Sequence, residues 1–215
     1  MTGDAVSRAR EEASREDYAS MARLARAMYG AGAGPREVIR ECYGTEFPEE
    51  FFLFAETGPY TLDLTMDFTN QPWQLAVPLS QGGPPPEPDT LDRIERKVFV
   101  RDPRLVPLAL PLDLDAVHGG RVICYHLDEL RAGRPTTFGI RVAVGLDDET
   151  ERCAASLLDV IHQHHADIVR RLAHRNHQPS NRGTGAVDSA DVEEARDILT
   201  QIEDLQHQVV ARSQK

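Results

Sequence analysis

The stretch YGTEFPEEFFLFAE, from Tyr43 to Glu56, holds four phenylalanines and four glutamates in fourteen residues. Phe47, Phe51 and Phe54 recur at spacings of four and three, which places them on one face of a helix. The glutamates fall largely on the remaining surface, and Pro48 stands near the start, where its fixed φ suits a first helical turn. The stretch therefore predicts an amphipathic helix with a buried aromatic face and an acidic outer face.

The negative charge of the chain is concentrated around this helix. Residues 41–92 hold ten carboxylates and no Lys, Arg or His, so they carry −10 of the formal net charge of −11. Direct nucleic-acid binding is not expected, because contact with phosphates requires clustered cations. Such a surface would attract a basic partner protein, and the alternative is that it only keeps the protein soluble. The predicted partner-binding residues are Glu46, Glu49, Glu50, Glu56, Asp63 and Asp67.

Periodicity on either side of this helix predicts an α+β fold. An apolar stripe over residues 5–29 and the short segment Pro35–Tyr43 each indicate a helix. After the acidic helix, YTLDLTMDF (60–68) alternates apolar and polar residues as a half-buried strand does. SQGGPPPEPDT (80–90) is typical of a surface loop, and the short joins indicate an antiparallel sheet of about five or six strands. The further strand candidates are QLAVPL (74–79), KVFV (97–100), LVPLALPL (105–112), RVICYHL (121–127) and TTFGIRVAV (136–144).

The last third of the chain is predicted to be helical. Residues 147–177 and the residues from Ser189 onward each carry an apolar seam with heptad-like spacing. The two seams predict either a helical hairpin or a dimerisation element. The first seam comprises Ala154, Leu158, Ile161, His165, Ile168 and Leu172, and the second comprises Ala195, Ile198, Ile202, Leu205 and Val209.

Composition favours a cytoplasmic protein. No run of about 18 apolar residues exists, so no transmembrane helix is predicted, and the N-terminus lacks the apolar core of a secretory signal. The three cysteines are widely spaced and form no CxxC pair, which is typical of buried, reduced thiols. The expected organisation is an N-terminal helix and linker (1–34), an α+β domain (35–177), a flexible linker (178–188) and a C-terminal helix (189–215).

Known patterns for catalysis, metal binding and nucleotide binding are not found in the sequence. His162 and His165 stand three apart on one predicted helix, as two zinc ligands could, but no other segment offers a third ligand and HExxH is absent. Asp63 and Asp67 share a strand face, as glycosidase acids do, and solvent-facing alternation explains them equally well. Cys124 lies within a predicted strand, where a buried thiol is expected. No catalytic residue, metal or cofactor is predicted, and the alternative is a hydrolase that uses these histidines or carboxylates.

Three stretches resemble the SUKH superfamily, a fold shared by a yeast cell-wall synthesis regulator and many bacterial immunity proteins. GTEFPEEFFLFAETG looks like the family's helix with a Leu-Pro-x-x-Tyr/Phe core and a following glycine, with Phe47-Pro48 in place of Leu-Pro. LVPLALPLDLDAVHGGRVICYHLDEL is similar to its strand, glycine-containing turn and strand, with His126 where Asp is usual. VGLDDETERCAASLLDVIHQ resembles the segment that enters the last family helix. The resemblance covers roughly residues 35–165.

The resemblance implies a binding function without turnover of a substrate. Members of the family work by binding other proteins, often to neutralise a toxin, which is frequently a nuclease. A nuclease has a cationic groove for its phosphate substrate, and an inhibitor with a dense anionic surface can block that groove. We therefore expect an immunity-type protein that binds a basic toxin or nuclease domain through its acidic surface. An adaptor that forms a homodimer through the C-terminal helices is a further alternative.

Overall fold

A computed structural model of the chain describes residues 2–58, 62, 64–141, 150–176 and 189–213. This part contains eight α-helices and five β-strands. The helices are α1 (Thr2–Glu12), α2 (Tyr18–Gly30), α3 (Pro35–Tyr43), α4 (Glu49–Thr57), α5 (Asp92–Arg101), α6 (Leu127–Arg131), α7 (Leu157–Asn176) and α8 (Ser189–Ser213). The strands are β1 (Met66–Phe68), β2 (Leu105–Pro111), β3 (Arg121–His126), β4 (Thr137–Arg141) and β5 (Glu151–Ala154).

The five strands form one antiparallel sheet in which each strand pairs with its neighbour in sequence. The pairing of β2 with β3 places Val106 opposite Tyr125, and the pairing of β3 with β4 places Cys124 opposite Phe138. Residues 112–120 connect β2 to β3. This arrangement confirms the predicted α+β class and the antiparallel sheet with helices packed around it.

Both faces of the sheet are covered, which explains why the inner strand β2 is almost wholly apolar. On one face, Tyr125 belongs to the main core, which also includes Tyr18 of α2 and Ile202 of α8. On the opposite face, Val98 of α5 packs with Leu105 of β2. The helices near both ends of the chain therefore share one core with the sheet.

Two predicted strands are wrong. Residues 97–100 form the end of α5, in which Ile94 and Val98, at a helical spacing of four, face the sheet. Residues 74–79 form two short 3-10 turns, Gln74–Ala76 and Leu79–Gln81. A proline precedes each of these turns, and proline disfavours a strand because its nitrogen cannot donate to a ladder.

Two helix boundaries also differ from the prediction. The stripe over 5–29 is split between α1 and α2, because the side chain of Asp17 accepts a hydrogen bond from the backbone N–H of Ala19 at 3.1 Å and begins a new helix. Residues 151–154, predicted as helix, are β5 and pair with β4. The helix that follows begins only at Leu157. Part of the predicted strand 60–68 lies outside the described residues, namely residues 60, 61 and 63. The same is true of residues 142–149.

The two C-terminal helices pack on each other as a hairpin, as one of the two interpretations of their seams predicts. Ile161 of α7 is buried in the main core together with Ile202 and Leu205 of α8. At the edge of this contact, Gln206 donates to the carboxylate of Asp159 at 3.0 Å. The predicted linker 178–188 lies outside the described residues. No helix in the described ranges is long and apolar enough to cross a membrane.

Candidate protein-binding surface

Helix α4 presents its aromatic residues to the core, as predicted. Phe51 and Phe54 are fully buried, and the Phe51 ring stacks on Trp73 with ring centroids 4.6 Å apart. Phe47 precedes the helix and packs edge-on against Tyr125 at a centroid distance of 5.8 Å. These contacts fix the orientation of α4 and therefore determine which of its glutamates reach solvent.

The prediction that Glu50 belongs to the acidic surface is wrong. Glu50 is only 4% exposed. Its Oε1 atom accepts hydrogen bonds from the Tyr125 hydroxyl at 2.8 Å and from the Leu157 N–H at 2.9 Å. Oε2 accepts from the Leu158 N–H at 3.3 Å. Glu50 thus caps the N-terminus of α7, where backbone N–H groups have no partner within the helix and the helix dipole favours a negative group. Burial is the main influence on its carboxyl group, and it raises the pKa.

Glu46, Glu49 and Glu56 do reach the surface, and we call these three residues the acidic surface. Each is paired with an arginine that lies outside the 41–92 window. The pairs are Arg40–Glu46 at 3.1 Å, Arg36–Glu49 at 2.5 Å, Arg212–Glu49 at 3.2 Å and Arg212–Glu56 at 3.3 Å. The local charge is therefore more balanced than the window alone predicts.

These arginine partners were missed because the charge count stopped at the edge of the window. Arg36 and Arg40 lie just before residue 41 and are one helical turn apart on α3, so their position next to the acidic helix was available in the sequence. Arg212 is near the end of α8 and contacts Glu56 from 156 residues away along the chain. No local pattern could have indicated that contact.

The two predicted aspartates have different outcomes. Asp67 is exposed in the middle of β1, between the buried residues Met66 and Phe68, as the alternation predicts. A charged side chain on an edge strand also discourages pairing with another chain. Asp63 lies outside the described residues. The prediction that the two carboxylates share a strand face therefore stays a prediction.

An apolar groove opens beside the acidic surface, between α4 and the two 3-10 turns. Its volume is about 290 Å³, and the carboxylate-bearing residue Glu56 lies on its wall. The side-chain oxygen of Gln74, which also lines the groove, is buried and has no hydrogen-bond partner within the described part of the chain. The apolar part of the wall includes Pro35, Phe52, Trp73, Ala76, Val77 and Pro78. Sequence reasoning missed this groove because it assigned residues 74–79 to a strand.

The histidines of α7 serve packing and surface contacts. His164 and His165 are buried, and the Nε2 atom of His164 lies 3.1 Å from the Thr65 hydroxyl. Burial lowers the pKa of each of these histidines to about 4. His162 is partly exposed, and its Nε2 atom lies 3.3 Å from a carboxylate oxygen of Glu203. Within the described ranges, no group of three His, Cys, Asp or Glu residues is arranged to hold a metal ion.

A second cavity has a volume of about 160 Å³. The residues that line it make mainly structural contacts. The Arg15 guanidinium lies 5.3 Å from the ring centre of Tyr43 and 5.4 Å from that of Phe99. It also donates hydrogen bonds of 2.6 and 3.0 Å to two backbone carbonyl groups at the start of β2. Glu95, on another wall, accepts from the backbone N–H of Asn70, and burial raises its pKa to about 7. These contacts attach the segment between α1 and α2 to the sheet.

Comparisons with known proteins do not assign a function to these features. No family model matches the chain, and neither characterised proteins nor solved structures match it. The resemblance to the SUKH superfamily therefore stays a prediction, and the surface around α4 has to be judged by its own chemistry.

Proposed function

We propose that this protein is a non-catalytic binding module of the immunity type, which holds a basic partner protein such as a toxin or nuclease domain against the acidic surface. The observation that supports the proposal is the position of the apolar groove directly beside Glu56. Protein interfaces combine a desolvated apolar centre with a polar rim, and the groove with its neighbouring glutamates offers both.

The arginine pairs of the acidic surface are compatible with this role. The Arg212 side chain is 42% exposed and that of Glu56 is 60% exposed, so water and salt screen their attraction. Exposed ion pairs of this kind contribute little to stability, and a cation from a partner can replace Arg212 at small cost. The acidic surface therefore retains the capacity to bind a basic protein.

The proposal is tested by capture from a lysate of the source organism at about 0.05 M and about 0.5 M salt, followed by mass spectrometry. We expect a basic protein to be retained at low salt and released or weakened at high salt. If the chain retains only itself or neutral proteins, the proposal is wrong and the acidic surface serves solubility.

Matched variants determine whether the captured protein uses the acidic surface. Glu49→Gln combined with Glu56→Gln should reduce retention about tenfold, because two anions are lost. Arg212→Gln should increase retention, since it frees Glu56 and removes one of the two arginines that are paired with Glu49. Glu194→Gln is the control, because Glu194 is exposed on α8 but lies 18 residues from Arg212, about 27 Å along the helix. Equal retention by all variants would contradict a role for these glutamates.

A further inference from the structure

We propose that the apolar groove receives a lysine or arginine side chain of the partner, with the aliphatic stem against the aromatic wall and the cationic head at Glu56 and Gln74. This inference rests on the proposed function and assigns the anchor by which a basic partner would be held. It goes beyond attraction between surfaces, because it names the groove as the point of insertion.

The wall of the groove suits an aliphatic stem. Phe52 and Trp73 are nearly fully buried and line the groove, together with proline, alanine and valine residues. A cavity of about 150 Å³ already holds a benzene ring in another protein. The volume here, about 290 Å³, leaves room for an extended side chain.

The polar groups of the groove select a hydrogen-bond donor with a positive charge. Glu56 supplies a carboxylate, for which a partner's cation would compete with Arg212 at 3.3 Å. The side-chain oxygen of Gln74 is buried and lacks a donor among the described residues, so this side chain has to turn towards the groove to meet a cation. No Lys, Arg or His of the described chain lines the groove. An acidic side chain would be repelled by Glu56, and an apolar one could not make the hydrogen bond that a donor would offer to the Gln74 oxygen. Lysine and arginine carry three and five donors on a long apolar stem.

A contact within the chain shows that this aromatic wall tolerates a cation. The Arg36 guanidinium carbon lies 4.3 Å from the ring centre of Phe52. A positive group over an aromatic face at this distance is stabilised by the ring quadrupole. Arg36 also repels a second cation near Phe52, so the attraction of Glu56 has to outweigh this repulsion for the groove to hold a lysine or an arginine.

Trp73 allows this site to be followed directly, because it is the single tryptophan of the chain and lines the groove. The probe is n-butylguanidinium, and its neutral isostere n-butylurea is the control. We expect n-butylguanidinium to change the Trp73 fluorescence saturably and n-butylurea to bind at least about tenfold more weakly. Glu56→Gln should weaken binding of the cation about tenfold, and Glu194→Gln should leave it unchanged.

Gln74→Leu separates the two polar groups of the site. This substitution should weaken the binding of n-butylguanidinium and strengthen the binding of n-butanol, because it removes the unpaired oxygen. Equal binding of n-butylurea and n-butylguanidinium, or no effect of Glu56→Gln, would overturn the inference. Capture of a basic protein without any response of Trp73 to the cation also overturns it, but leaves the proposed function intact. A Trp73 response without capture of a basic protein overturns the proposed function and hence the assignment of the groove to a partner.

Discussion

Replacing Glu50 with alanine should lower the free energy of unfolding by about 3 to 5 kcal/mol, because the change removes an acceptor at the centre of three elements. The Tyr125 hydroxyl of β3 and the N–H groups of Leu157 and Leu158 in α7 all donate to this carboxylate. Each donor is left buried without a partner, and each unsatisfied group costs about 1 to 3 kcal/mol. The lost side-chain volume adds a cavity between α4 and α7.

Urea denaturation followed by circular dichroism measures this loss. The neighbouring substitution Glu49→Ala is the matched control, because Glu49 is on the outer side of α4 and makes only partly exposed ion pairs. It should cost less than about 1 kcal/mol. The loss of unfolding free energy for Glu50→Gln should lie between those of the two alanine variants, since one acceptor oxygen remains. A cost for Glu50→Ala that is no larger than that for Glu49→Ala would show that the cap contributes nothing.

The buried contacts of Glu50 determine which glutamates can be used to test the acidic surface. A charge reversal at Glu50 would place a cation against the N-terminus of α7 and would report on folding rather than on partner binding. Glu49 and Glu56 are suitable positions because their ion pairs within the described ranges are with exposed arginines. Loss of binding in their variants can be assigned to the surface once an unfolding curve shows that the fold is kept.

Local periodicity was sufficient for elements whose buried residues recur within the element. Helix α3 begins and ends where the sequence predicts, and its apolar residues Val38, Ile39 and Cys42 are all buried. Strands β2 and β3 also lie where their apolar runs stand. The strand prediction was wrong at 97–100, because the short run that contains Val98 and Val100 favours a strand more strongly than the spacing of four between Ile94 and Val98 favours a helix. The helix prediction was wrong at 151–154, whose strand character depends on pairing with β4.

The cap of α7 explains why the site was only partly predictable. The predicted helix 147–177 opens with three carboxylates at residues 147–149, but the observed helix begins at Leu157 and receives its carboxylate from Glu50, 107 residues earlier. In the sequence, Glu50 cannot be distinguished from Glu49, because both are polar residues at the start of an amphipathic helix. The distinction arises only when α7 packs across α4. The arginine partner of Glu56 depends on α8 in the same way.

Acidification should destabilise the fold through the two buried histidines of α7. Burial lowers the pKa of His164 and His165 to about 4, and an unfolded histidine titrates near 6.5. Between these values the unfolded chain binds more protons than the folded one, so stability is lost as the pH falls from about 6.5 towards 4. The groups that face them do not reverse this direction. A hydrogen bond with Thr65 and the carboxylate of Asp113 favour charge on His164, but burial outweighs them, and His118 and Arg171 disfavour a further charge. Charge on His165 is disfavoured by burial and by its neighbour His164. Each histidine should cost about 2 kcal/mol at pH 5.

Glu95 opposes this trend, so the pH dependence has to be resolved by variants. Burial raises the pKa of Glu95 to about 7, so the folded state holds its proton and gains stability as the pH falls through 7 towards 4.5. Unfolding free energies at pH 7.5 and pH 5 are compared for each variant. His165→Phe should reduce the loss on acidification by about 2 kcal/mol, and Glu95→Gln should increase it by a similar amount. His162→Ala is the comparison variant, because it removes a histidine from the same helix at a partly exposed position. If His165→Phe and His162→Ala behave alike, the buried histidine does not drive acid destabilisation.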